Sequence, residues 1–283
     1  MVLRLLFHYN LKIIYKYIDI KFLDFKLIYK LSVKSILFFF VIGEVASFSL
    51  YFSGFYSQFN IPNILSSAIV GFLILIFLIK SSGFSNKGDR SLLFILLSLL
   101  SWITAEFLYG YYSGFLNIDA YPSVADLFYL AGYIFFVLFL TLMNKTYKIE
   151  LAFILSSIVT FSLFVFYILY VEIFIFGLSH FGGSTYDLIL LFTYPIIDLF
   201  IAIGAVVYYF RGISISLNKE YIYWIFVSLF GFFFFVADLV FGYNDVYNIT
   251  NTNYMFDLYY NIGYLLLGTA IIIRINYIHS PKK

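Results

Sequence analysis

The sequence predicts an all-α membrane protein: a bundle of about eight transmembrane helices with both ends of the chain on the cytoplasmic side. The first observation is composition, because 63% of the residues are hydrophobic, only 11% are charged, and the mean hydropathy is +0.98. Soluble domains have about 45–50% apolar and about 25% charged residues. The second is a series of apolar segments long enough to cross a bilayer. The third is that the basic residues all fall on one predicted side.

The first element is a basic tail, residues 1–34. On a helical wheel of about 100° per residue, its charged side chains fall largely on one stripe, while most of its apolar side chains lie elsewhere. This pattern predicts an amphipathic helix on the inner leaflet, with lysines near anionic headgroups. The alternative is a basic tail that only fixes the orientation of the protein. The residues of the stripe are Lys12, Lys16, Asp19, Lys26, Lys30 and Lys34.

The transmembrane helices follow the tail. Apolar runs of about 17–25 residues are typical of such helices. The predicted spans are 35–53, 62–80, 91–111, 124–143, 150–176, 190–210, 221–242 and 255–275. With the N-terminus inside, all 17 Lys and Arg residues lie in the tail, in inner loops or at the C-terminus. Cytoplasmic segments are enriched in these residues, so we predict a multi-pass protein of the cell membrane with both termini in the cytoplasm.

The last predicted outer loop contains Asn248-Ile249-Thr250. This triplet is an acceptor for N-glycosylation where a host glycosylates outer-surface proteins, although such triplets also arise by chance. Asn248 is therefore a possible modification site.

The chain also shows signs of an internal duplication. Glu106 corresponds to Asp238 at an offset of 132, and Asp126 corresponds to Asp257 at an offset of 131. The offset covers four spans, an even number, so the two halves have the same orientation in the membrane. We predict a tandem parallel duplication of a four-helix unit, residues 35–145 and 146–283. Some transporters use parallel repeats of this kind.

Carboxylates inside the predicted spans are candidates for a functional site, because charged groups are costly in a bilayer and rarely face lipid. Glu106 and Asp238 lie toward the outer ends of their spans. Asp126, Asp198 and Asp257 lie in the first turns of helices that run inward. These five acids predict an acidic cavity that is open to the outside.

Tyrosines share a helix face with two of the acids. Spacings of three and seven residues place such side chains together. The two sets are Asp126, Tyr129 and Tyr133, and Asp257, Tyr260 and Tyr264. The rings can hold a cation beside the carboxylates, or the hydroxyls can hydrogen-bond the acids. Asp126 has a second interpretation, as the third residue of a capping box that begins at Ser123. Glu106 and Asp238 can also be buried protonated acids or partners in interhelical hydrogen bonds.

Several kinds of chemistry are excluded. The chain has no cysteine and only three histidines, His8, His180 and His279, so no thiolate or paired-histidine metal site is expected. It has no catalytic motif of the hydrolase, zinc-protease or phosphate-loop type. We therefore expect no enzyme activity, no cofactor and no metal. The basic residues follow the membrane face, so we expect no nucleic-acid binding.

The segment from Tyr121 to Tyr133, with the sequence YPSVADLFYLAGY, resembles part of a known family. It is similar to the multi-span N-terminal membrane sensor modules of bacterial diguanylate cyclases and histidine kinases. Trp102 and Glu106 fit the preceding helix of that pattern. Later parts follow in a similar order: Tyr194, Pro195 and Asp198, then Ala237 and Asp238, then Asp257, Tyr260 and Tyr264. The resemblance covers about residues 60–275 and implies a sensory role for a ligand of unknown identity. No output domain follows in this sequence, so any signal requires a separate partner.

The sequence thus favours a non-enzymatic membrane module. It would bind a small ligand, ion or lipid from the outer side and signal to a separate output protein. The first alternative is a transporter or permease for a small cationic solute or a proton-coupled substrate. The second is a structural subunit of a membrane complex.

Overall fold

The computed structural model describes residues 87–116, 118–147, 151–175, 183–215, 220–247 and 253–278, with isolated helical residues between 41 and 75. All of these belong to one compact unit, Phe39–Lys283. The predicted tail 1–34, most of the predicted spans 35–53 and 62–80, and Asn248 lie outside the described residues.

Every regular element in the described part of the chain is helical, which confirms the all-α prediction there. Six helices match the predicted spans from 91–111 to 255–275. They are α1 (Lys87–Tyr111), α2 (Val124–Tyr147), α3 (Leu151–Ile175), α4 (Thr185–Ser214), α5 (Tyr223–Val246) and α6 (Asn253–Ile278). A π-helical turn, Tyr112–Leu116, continues α1, and a short 3₁₀ turn, Glu220–Ile222, precedes α5.

Four of these helices are long and apolar enough to cross a membrane. Their apolar windows have mean hydropathies of 2.0 to 2.3, and the segments have 20 to 30 residues. At about 1.5 Å per residue, 20 residues cover the hydrocarbon thickness of a bilayer. The segments are Ser91–Leu116, Val124–Met143, Thr185–Ser214 and Tyr223–Val246. The chain is therefore a membrane protein, while the count of eight spans and the orientation of the termini stay predictions.

Helix α4 begins earlier than hydropathy predicts, at Thr185 rather than near 190. The cause is a capping box: the Ser184 hydroxyl accepts from the Asp187 backbone N–H, and the Ser184 N–H donates to Asp187 Oδ2 at 2.6 Å. These bonds satisfy donors that a helix start otherwise leaves open. The Ser-x-x-Asp spacing of Ser184 and Asp187 is the sequence signal that indicates this helix start.

Aromatic packing around Trp102 joins four helices. The indole is 1% exposed, and its ring lies 5.4–6.2 Å from those of Tyr133, Phe136, Phe230, Phe234 and Tyr264. Its Nε1–H donates to the Tyr129 carbonyl at 3.1 Å. Trp102 therefore connects α1 to α2, α5 and α6.

A buried arginine on α6 contacts the first residue of α5. The sequence assigns Arg274 to the cytoplasmic end, yet its side chain is only 2% exposed. Its Nη1 donates to the Tyr223 hydroxyl at 2.7 Å, and its guanidinium lies 5.1 Å from the centre of the Tyr223 ring. The hydrogen bond and the cation–π contact together offset part of the cost of burial.

Candidate functional site

The nine predicted site residues lie in or beside one set of acid–tyrosine contacts. We call this set the acid–tyrosine network. It comprises Glu106, Asp126, Tyr129, Tyr133, Tyr194, Asp198, Asp238, Tyr260 and Tyr264, contributed by α1, α2, α4, α5 and α6. Three of its acids are almost wholly buried: Asp126 at 2%, Asp198 at 0% and Asp238 at 7% exposure. Tyr194 is a member that the sequence did not select as a ligand-binding residue.

Asp126 uses both of its carboxylate oxygens. Oδ2 accepts the Ser123 backbone N–H at 2.7 Å, and the Ser123 hydroxyl accepts the Ala125 N–H at 3.1 Å. Oδ1 accepts the Tyr194 hydroxyl at 2.6 Å. The geometry therefore fits the capping interpretation of Asp126. It also makes this acid the link between the start of α2 and the middle of α4.

Asp198 of α4 and Asp238 of α5 form a pair of facing carboxyl groups. The Tyr260 hydroxyl donates to Asp238 Oδ1, and the Tyr133 hydroxyl lies beside both acids. Within the described residues, neither oxygen of Asp198, nor Oδ2 of Asp238, has an N–H or O–H partner. Two carboxylates in such a place repel each other strongly. A proton shared by the two carboxyl groups would remove this repulsion and form a hydrogen bond between them.

Glu106 forms a third contact of the same kind. The Tyr129 hydroxyl lies within hydrogen-bonding reach of its carboxyl group. Tyr264 lies near enough to interact electrostatically with the same carboxyl group. Tyr109 interacts electrostatically with both Glu106 and Asp257. Asp257, which is partly exposed, therefore lies at the edge of the network.

Tyr121, in the connection between α1 and α2, extends this region beyond the transmembrane helices. Its hydroxyl donates to the Asp187 carbonyl at 3.0 Å. Burial raises the pKa of the hydroxyl above its usual value, and the charge of nearby Asp126 adds to the rise. Tyr121 therefore acts as a neutral hydrogen-bond donor that fixes this connection against the start of α4.

A groove lies on another side of Asp238, between α3, α4 and α5. The non-atom space inside it is about 550 Å³, which includes the solvent at its open side. Of the nine residues that the sequence predicted, only Asp238 lines this groove. Its aromatic wall consists of residues that the sequence did not single out: Tyr167, Tyr170, Phe192, Tyr243 and Tyr247. The outward-open cavity lined by the five acids stays a prediction.

Two helix pairs carry corresponding contacts. Glu106 meets Tyr129 between α1 and α2, while Asp238 meets Tyr260 between α5 and α6. Similarly, the Trp102 ring lies against Gly132, and the Phe234 ring lies against Gly263. The corresponding residues are 131 or 132 positions apart. The predicted duplication stays a prediction, which these contacts support.

No group of three or more His, Asp or Glu side chains suited to a metal ion occurs in the described ranges. No known protein family, curated protein or solved structure shows significant similarity to this chain. A function must therefore be argued from the geometry of the network and the groove.

The bond between Tyr194 and Asp126 gives a direct test of the network. We expect Tyr194→Phe to lower the free energy of unfolding by about 1 kcal/mol, because it removes a buried donor to a carboxylate. Thermal unfolding in detergent, followed by helical circular dichroism, measures the change. Tyr186→Phe, on the same helix but 46% exposed, is the matched control. Equal midpoints for the two variants would contradict the assigned bond.

Proposed function

We propose that this chain is a non-enzymatic, multi-pass ligand-binding module of the cell membrane with both termini in the cytoplasm. It binds a small, positively charged ligand from the outer side at the acid–tyrosine network and signals to a separate partner on the inner side. The observation that carries the proposal is the buried pair Asp198 and Asp238, which has no N–H or O–H partner for three of its four oxygens within the described helices.

The distribution of charge around the network favours a cation. No Lys or Arg occurs in residues 91–144, 149–210 or 220–273, which include every acid of the network. Arg274 contacts Tyr223 and is 17 positions beyond Asp257 on α6, about 25 Å along the helix. Even with one shared proton, Asp198 and Asp238 leave a negative charge in a low-dielectric region. A bound cation would supply the positive charge that these three segments lack.

The connections that the network makes between helices favour a signalling role. The network joins α1, α2, α4, α5 and α6 through side chains rather than through sequence neighbours. A ligand that competes for a tyrosine hydroxyl or shifts the shared proton changes contacts between several helices at once. Such a change requires the ligand to interact differently with two arrangements of the helices. The resemblance to bacterial sensor modules supports the same role.

Transport is the second candidate. The corresponding contacts of α1–α2 and α5–α6 favour it, because parallel repeats in transporters place the substrate at their interface. A transporter would carry a small cationic solute or couple its substrate to protons. The third candidate is a structural subunit of a membrane complex. No specific contact among the described residues favours it.

The experiment uses the purified full-length protein with methylammonium as the probe. A sensor should be stabilised against heat by methylammonium and show no flux in liposomes. A transporter should take up labelled methylammonium, and Glu106→Gln or Asp238→Asn should abolish uptake. Asp245→Asn, which alters an exposed acid on α5, should preserve either result. If methylammonium neither stabilises the protein nor crosses the bilayer, and fixed partners co-purify, the ligand-binding proposal is wrong.

A further inference from the structure

The backbones of α4 and α5 approach each other closely beside the pair Asp198 and Asp238. A Cβ on Gly231 of α5 would lie too close to the Ala202 nitrogen and the Asp198 carbonyl oxygen, both on α4. Asp238 follows Gly231 by about two helical turns, so the two residues share a face of α5. A force between the two carboxyl groups therefore acts on the contact between α4 and α5.

The two carboxyl groups have too few hydrogen-bond donors around them. They face each other, and both oxygens of Asp198 and Oδ2 of Asp238 are buried without a donor from the described residues. An ionised carboxylate without donors is costly to bury. The pair therefore needs a hydrogen that the helices around it do not provide.

The tyrosine hydroxyls next to the pair do not provide this hydrogen. Tyr260 donates to Asp238 Oδ1, and Tyr194 donates to Asp126 Oδ1 at 2.6 Å. Tyr133 lies beside both acids but forms no hydrogen bond with any of the three oxygens that lack a donor.

The hydroxyl that α3 contributes is also directed elsewhere. Pro195 lies inside α4 and has no N–H, so the carbonyl of Leu191, four residues earlier, loses its helical donor. The Tyr167 hydroxyl donates to that carbonyl at 3.3 Å. It therefore completes the hydrogen bonding of α4 and leaves the pair without a donor from α3.

The titratable groups that interact with the pair in the described part of the chain are tyrosines, which are neutral at neutral pH. Glu106 of α1 contacts Tyr129 and Asp126 of α2 contacts Tyr194, so neither acid is a direct partner. The tyrosines are Tyr121 from the connection between α1 and α2, Tyr133 from α2, Tyr167 from α3, Tyr194 from α4, and Tyr260 and Tyr264 from α6.

We propose that Asp198 and Asp238 form a proton-binding site, in which one proton shared by the two carboxyl groups joins α4 to α5 and makes this contact sensitive to pH. The proton supplies the missing donor and cancels one of two like charges that cannot both be ionised at short range. When the proton is lost at higher pH, the two carboxylates repel each other and weaken the helix contact. The inference goes beyond the proposed function, because it requires no ligand and would stand if methylammonium failed to bind.

Infrared spectroscopy of the full-length protein in nanodiscs at neutral pH tests whether one proton is shared, because protonated carboxyl groups have their own carbonyl stretching band. Asp198→Asn and Asp238→Asn should each remove one such group, since the asparagine amide donates to the remaining carboxylate in place of the proton. The double variant should remove no more than either single variant. Asp119→Asn, which alters an exposed acid, should leave the band unchanged.

Two results of this measurement would overturn the inference. A loss in the double variant that is twice the loss in each single variant would show two independent protons. No loss in either single variant would show that both acids are ionised.

The shared proton also gives the stability of the protein a defined dependence on pH. Aspartates of the unfolded chain are ionised above about pH 5, so the native protein binds one proton more than the unfolded chain. Stability therefore falls as the pH rises. From about pH 5 to about pH 8, the midpoint of thermal unfolding in detergent should fall by roughly 5 °C more for the native protein than for Asp198→Asn.

Asp238→Asn should behave like Asp198→Asn, because either amide replaces the proton. Asp119→Asn should follow the native protein over the same range of pH. Parallel profiles for the native protein and both asparagine variants of the pair would show that no proton is held there, and the inference would be wrong.

Discussion

Replacing Gly231 with alanine is expected to lower the free energy of unfolding by about 2–3 kcal/mol, the upper range for an overpacked core. Gly231 lies on α5 where it crosses α4. A Cβ there would lie 2.8 Å from the Ala202 nitrogen and 2.9 Å from the Asp198 carbonyl oxygen. Both atoms belong to the backbone and cannot rotate away, so the two helices must separate. The separation would also draw Asp198 away from Asp238, two turns further along α5.

Thermal unfolding in detergent, followed by helical circular dichroism, measures this loss. Gly204→Ala is the matched control on α4, because its Cβ would meet only the end of the Leu140 side chain at 3.4 Å. We expect that variant to unfold close to the native midpoint. A Gly231→Ala variant as stable as Gly204→Ala would show that α4 and α5 do not approach closely at this position.

The helices and the buried acids could be predicted from sequence because both follow from local properties. A run of about 20 apolar residues is sufficient to indicate a membrane helix, and a carboxylate within it is costly wherever the helix packs. The contact between Ser123 and Asp126 was also within reach, because a capping box involves residues three positions apart. The start of α4 was missed because hydropathy gives no weight to Ser184 and Asp187.

The partners of the acids depend on tertiary structure and could not be read from the chain. Tyr194 meets Asp126 across 68 positions, and no local spacing relates them. The groove depends on how α3 lies against α4, and on a carbonyl that Pro195 leaves without its helical donor. The sequence places Arg274 among the basic residues of the inner face. In the structure it is buried, with a hydrogen bond to the Tyr223 hydroxyl and a cation–π contact with the Tyr223 ring. Each of these contacts depends on packing between segments that are distant in the sequence.

The packing of Trp102 predicts the second large effect. We expect Trp102→Ala to cost about 3–5 kcal/mol, as for other large aromatic side chains removed from a core. In a bilayer this loss comes chiefly from packing, because lipid is as apolar as the protein interior. The indole contacts five rings and donates to the Tyr129 carbonyl. Trp102→Phe retains an aromatic ring but loses that hydrogen bond, and should be the milder variant.

A double-mutant cycle with Gly132 distinguishes this packing from a general loss of hydrophobic volume. A Cβ on Gly132 would lie 2.5 Å from Trp102 Cδ1 and closer still to Nε1, so Gly132→Ala alone should destabilise the native protein by about 1–3 kcal/mol. In the Trp102→Ala background the clash is gone, and the same change should cost almost nothing. Residues in direct contact give such non-additive free energies, whereas distant ones add. Gly204→Ala, which contacts Leu140 instead, should cost the same in both backgrounds. Strict additivity for Gly132 would mean that the indole does not lie between α1 and α2, and the contacts that connect Glu106 to Tyr129 on the same two helices would lose their support.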